Sequence, residues 1–179
     1  MKIIYKKLRD NTVLPYAATQ MSGGLDVTAA HIEHVSENEV VIYLGFSMQP
    51  VQKSTGMHVN GGKHSRDHLI NYRIRFSPRS SFTKYNWILQ NSPCLGDADF
   101  TGEYRLRFRA IPTRITKIPL PPNKKAIGIT PLLKYEPFPY KVGDRVAQLW
   151  VEEIIPIEFE EGELPNLTDR KGGFGSTDK

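Results

Sequence analysis

Apolar and polar residues alternate along several short runs of this chain. In NYRIRFSP (71–78), Tyr72, Ile74 and Phe76 point one way, and Arg73 and Arg75 the other. In GEYRLRFRAI (102–111), Tyr104, Leu106 and Phe108 repeat the pattern against Arg105, Arg107 and Arg109. A period of two is that of a strand with one buried and one wet face. NEVVIYLGF (38–46) and VAQLWVEEIIPIEF (146–159) are rich in the β-branched and aromatic residues that suit strands. Turn residues separate these runs. No long window carries a helical period, and SSFTKYNWILQN (80–91) has room for only a turn or two of helix. The elements predict an all-β fold, a sandwich or jelly roll.

Two long stretches lack this order. One is 47–69. The other is 112–139, which holds seven of the thirteen prolines. Loops of that length in a compact fold often carry function or an interface. From about Glu160 the chain turns acidic and then glycine-rich. The core is therefore expected over 1–160, with an arm over 161–179. That arm ends in DRKGGFGSTDK, three glycines around one aromatic ring, with no period that a strand or helix would use.

Composition narrows the class. A chain of 179 residues, 39% hydrophobic and 24% charged, suits one soluble domain with a sizeable core. No run approaches the length of a membrane helix, and the basic N-terminus has no signal-peptide stretch. The single Cys94 forbids an internal disulfide and reads as a small buried apolar residue. A cytoplasmic protein without a membrane partner is expected. The net charge of +5 favours anionic partners such as nucleotides or nucleic acid, a weak signal because the basic residues are spread along the chain, and no nucleic-acid partner is expected.

Short polar stretches carry the candidate chemistry. PRSS (78–81) sets a guanidinium and two hydroxyls in a turn after a strand, a cradle for phosphate oxygens or an ordinary polar turn. CLGDADFTG (94–102) holds Asp97 and Asp99 at i and i+2, on one side if the segment is extended. VGDRVAQL (142–149) reads as a turn and a strand, with Asp144 and Arg145 as a local ion pair and Gln148 as a ligand contact or an outward side chain. His58, His64 and His68 lack the spacing of a structural zinc site, and the chain has no cysteines to complete one.

Taken in order, SGGLDV (22–27), PRSS, NSPCLGDADFTGE (91–103), GDRVAQL and RKGGFGST (170–177) resemble the five motifs of trimeric dUTPases. The resemblance spans residue 22 to the end, interrupted by the two long stretches. It implies a jelly-roll-like β-sandwich that forms homotrimers, with active sites shared between subunits and a flexible C-terminal arm. The implied reaction is hydrolysis of dUTP to dUMP and pyrophosphate with Mg²⁺. On the same grounds Asp97 would activate a water to attack the α-phosphorus. Asn91 and the backbone of Leu95 and Gly96 would read the uracil edge, and Phe100 would stack on the deoxyribose. Arg79, Ser80, Ser81 and Gln148 would hold phosphates. Asp26 would serve the metal through water, Arg170 would reach the γ-phosphate, and Phe174 would close over the base.

Departures from the family pattern set further expectations. Phe100 replaces the usual tyrosine, so the ring survives without its hydroxyl. Gly96 replaces a branched apolar residue, which predicts a roomier pocket floor. Ser81 replaces a glycine, and the last motif is one residue short after Arg170. RSS is also the version found in dCTP deaminases of the same fold. Those enzymes need a glutamate where this chain has Arg107, and an arginine stays charged and cannot shuttle the proton. A third reading is an interaction protein that binds a partner through the 112–139 loop.

Overall fold

The structure is a computed structural model, and it describes residues 2–52, 68–69, 72–116, 132–155 and 157–163. The strands are β1 (Lys2–Lys7), β2 (Leu25–Thr28), β3 (His31–Ser36), β4 (Glu39–Tyr43), β5 (Phe46–Gln52), β6 (His68–Leu69) and β7 (Tyr72–Pro78). They continue as β8 (Trp87–Leu89), β9 (Cys94–Gly96), β10 (Arg105–Ala110), β11 (Arg114–Thr116), β12 (Leu132–Lys134) and β13 (Arg145–Glu153). One 3₁₀ turn, Ser80–Lys84, follows β7. The all-β expectation holds. Among the described residues no helix is long and apolar enough to cross a membrane.

Two four-stranded sheets dominate, ordered β3-β4-β10-β8 and β2-β13-β7-β9. Every named pairing is antiparallel. The alternating residues do what their period predicts. Val40, Ile42, Leu106 and Phe108 face inward from the first sheet, and Val27, Ile74, Phe76 and Leu149 from the second. All eight are fully buried in one continuous cluster, the core of a sandwich. Each such side chain contributes ~1.5–3 kcal/mol through burial. Cys94 is buried here too, and burial pushes its thiol above the ordinary range, as a small apolar role requires.

The structure corrects three expectations. The stretch 47–69 is not irregular throughout, because β5 fills its start and β6 its end, joined with β1 in a three-stranded sheet. Likewise β11 and β12 pair as a ribbon within 112–139. His58 and His64 lie outside the described residues, as do 117–131. Third, the strand expected to reach residue 159 ends at Glu153. Beyond it Ile155, Ile157 and Phe159 continue the apolar alternation at 78%, 71% and 95% exposure. They have the pattern of a strand and no partner strand within the described part of this chain.

Candidate active site

The sequence-predicted residues fall into two clusters on the β2-β13-β7-β9 sheet. The first is built around Asp26, which β2 carries opposite Gln148 of β13. Asp26 is 2% exposed, yet its carboxylate is fully engaged. Arg145 Nη1 donates to Oδ2 at 2.9 Å and Gln148 Nε2 to Oδ1 at 3.3 Å. Arg79 Nε lies 3.5 Å from the same Oδ1. A buried carboxylate is tolerated only with such partners. Asp26 thereby points Arg79, Arg145 and Gln148 to one end of the sheet.

Arg145 is the residue that sequence reasoning missed. Its expected partner, Asp144, instead accepts a hydrogen bond from the Lys141 backbone at 2.9 Å and closes the turn. The apolar setting of Asp26 within GGLDV was the signal that a distant cation must neutralise it. Arg79 opens the 3₁₀ turn, where Phe82 N donates to Arg79 O at 2.9 Å. Phe82 is buried and stacks on Tyr140, with centroids 5.6 Å apart at 14°. That anchor fixes the turn bearing Ser80 and Ser81. A cleft of about 560 Å³ runs beside it, with Arg79 and Ser80 on one wall and Trp87, Leu89 and Ile111 on another.

The second cluster is the hairpin at β9. Among the described residues this strand is the edge of its sheet, so half of its backbone groups have no ladder partner there. Asp97 follows it and starts a tight turn, in which Phe100 N donates to Asp97 O at 3.1 Å. That turn removes the extended geometry assumed for Asp97 and Asp99. The Asp97 side chain stands exposed at the rim of a cleft of about 540 Å³. Asn91, Leu95, Gly96 and Phe100 line the same cleft. Asn91 is held at both ends of its amide: Nδ2 donates to Cys94 Sγ, and Oδ1 accepts from Arg107 N, each at 3.2 Å.

Gly96 does not enlarge this cleft. A Cβ built there would lie 2.5 Å from Cε1 of Tyr104, so the tyrosine ring already fills the space. Tyr104 is 4% exposed, and its Oη donates to Met48 O at 3.2 Å. Burial, and next the nearby charge of Asp97, push its hydroxyl up to about 12. Arg107, the position that would need to be glutamate for deamination, pairs with Glu39 at 2.5 Å. Glu103 does line the cleft, but Arg9 and the Gly45 N–H occupy its carboxylate.

The two clefts adjoin at the start of the hairpin, where Ser92 lines the first beside Arg79 and Ser80 and Asn91 lines the second, while the Gly96 end lies farther off. Gly96 pairs with Ile74 near the start of β7, whereas Arg79 follows the end of that strand. At ~3.3 Å per residue the separation is roughly 15–20 Å. Arg170 and Phe174 lie outside the described residues.

No protein-family model matches the chain. A deoxyuridine 5′-triphosphate nucleotidohydrolase from Hydrogenobaculum sp. strain Y04AAS1 is 28% identical over 179 residues, covering 99% of this chain and 98% of that protein. Among solved structures, the dUTPase of Staphylococcus bacteriophage 80alpha with dUpNHpp superposes with a TM-score of 0.67. It is 18% identical and the match covers 99% of each chain. A mutant dUTPase from phage phi11 of S. aureus, in which a structural Mg(II) ion is coordinated, gives 0.60 at 16% identity, over 93% of this chain and all of that one. Sequence relatives and fold neighbours agree with the family that the five motifs resemble.

Proposed function

We propose that this chain, a relative of the dUTPases over nearly its whole length, hydrolyses dUTP to dUMP and pyrophosphate. The observation that carries this reading is the division of labour along β7. One end gathers cations and an amide around a buried carboxylate, suited to a triphosphate. The other offers an unpaired strand edge, a ring and an exposed carboxylate, suited to a deoxynucleoside and a water. In this reading a site combines the hairpin of one copy with the Asp26 cluster of another, in a homotrimer with three shared sites, as the resemblance to trimeric dUTPases implies. The exposed Ile155, Ile157 and Phe159 support association, since such a row is costly to leave wet.

In this reading Asp97 accepts the proton of the attacking water, and its exposure at the cleft rim gives that water access. The free backbone groups of Leu95 and Gly96 pair with the uracil edge, where a mismatched base would leave buried polar groups unpaired. Phe100 packs on the sugar. Arg79, Ser80, Ser81 and Gln148 grip the phosphates, and Arg170 and Phe174 close the site from the 161–179 arm. Mg²⁺ would take its inner ligands largely from the substrate phosphates and would neutralise their charge. Asp26 orients Arg79, Arg145 and Gln148 through its oxygens and would serve the metal through water. The enzyme acts in the cytoplasm, and a protein partner at 112–139 would act alongside catalysis.

The test is a product assay with dUTP, dCTP, dTTP and UTP, with and without Mg²⁺. The expected result is dUMP and pyrophosphate from dUTP alone. Conversion of dCTP would move the protein to the deaminase branch despite Arg107, and no turnover would leave a binding protein on the same fold.

A further inference from the structure

The hairpin is built on two glycines, each covered by an aromatic ring. A Cβ on Gly96 would meet Tyr104 Cε1 at 2.5 Å, and Cζ and Oη at 3.1 Å. A Cβ on Gly102 would meet Phe100 Cζ at 2.6 Å. The two rings touch each other, with centroids 5.2 Å apart. Of the two, Phe100 is 41% exposed in the cleft, while Tyr104 is locked. Its hydroxyl is tied to Met48 O of β5, and its ring packs on Phe76 at 5.2 Å and Phe46 at 6.0 Å. A contact path therefore runs from the core through Tyr104 to the Gly96 backbone and to Phe100.

We infer that Tyr104 is the specificity-determining residue of the base cleft, fixing its depth beneath Gly96 and backing the Phe100 ring. The inference rests on the dUTPase reading of this cleft. A branched side chain at 96 would be the floor in the family pattern; here a rigid ring on another strand takes that place. Close-packed cores give way little, so a ring seated against Phe46 and Phe76 cannot recede when a bulkier base presses on Gly96. The same ring is the backstop of Phe100, the side chain that would meet a 2′-hydroxyl. Exclusion of the 5-methyl of thymine and of the ribose hydroxyl thus share one support.

The experiment measures kcat/KM for dUTP, dTTP and UTP in the full-length protein. Wild-type turnover of dUTP comes first; its absence would sink the proposed function itself. In Tyr104→Leu the dUTP/dTTP and dUTP/UTP ratios are both expected to fall at least tenfold. Tyr104→Phe retains the ring and should keep both ratios. A merely structural role would lower kcat/KM for all three nucleotides alike, and that outcome with normal wild-type turnover overturns the inference alone. Should Tyr104→Leu fail to fold, Gly96→Ala reads the same point, because its methyl group must push the ring from its seat. Unchanged ratios there would equally overturn it.

Discussion

Asp97 stands exposed at the start of a tight turn, one residue past the edge strand whose backbone faces the same cleft. An amide in its place would keep the shape and lose the proton acceptor. Asp97→Asn should therefore abolish dUTP turnover, by about 10²-fold or more on the scale of general-base catalysis, while nucleotide binding followed by calorimetry stays within a few-fold. Undiminished turnover would remove Asp97 from the mechanism. Tyr104 gives a pH signature. Its hydroxyl is raised to about 12 in the fold, against about 10 for an unfolded tyrosine. The native state holds that proton more tightly, so the contribution to stability is complete below pH 10 and is lost as pH rises towards 12. Denaturant midpoints across this window should decline more steeply in wild type than in Tyr104→Phe. At this scale the sequence disclosed which residues line the cleft beside β9 but not how they are backed. The glycine at 96 was legible as a lost side chain. That Tyr104 refills the space depends on two segments packing through the core, which no local pattern encodes.

Strands with a buried and a wet face were legible, because period two imposes itself wherever one face meets the core. β4, β7 and β10 fall within two or three residues of their predicted bounds. β1 was not, since its lysines at 2, 6 and 7 obscure the alternation and none of its side chains is fully buried. β5 was hidden by Pro50, which reads as a breaker, although the strand pairs Pro50 with Ile3. The register of β2 on β13 decides the phosphate cluster, because it sets Asp26 against Gln148. Asp26→Ala would leave two guanidinium groups without their shared carboxylate. Both arginines are partly exposed, so water softens the cost to about 1–3 kcal/mol, readable as a lower denaturation midpoint. The kinetic expectation is a raised KM for dUTP, since Arg79 and Gln148 lose their orientation; an unchanged KM would detach this cluster from the substrate.

The whole molecule is where a single chain is least informative. The apolar row at 155, 157 and 159 was predicted as strand and stands exposed beyond the end of β13. Truncation after Leu167 should leave an assembled protein by sedimentation with severely reduced kcat, and loss of folding would make the 161–179 arm structural. The shared site is tested most directly by complementation. Asp97→Asn ruins only the hairpin half and Arg79→Ala only the phosphate half, so each homo-oligomer should be inactive. Co-expressed in equal amounts, they form mixed assemblies in which some sites join two intact halves. The recovered dUTP turnover should reach up to about a quarter of wild type under random mixing in a closed symmetric oligomer. Mixed assemblies as inactive as their parents would contradict a site built from two copies of this chain.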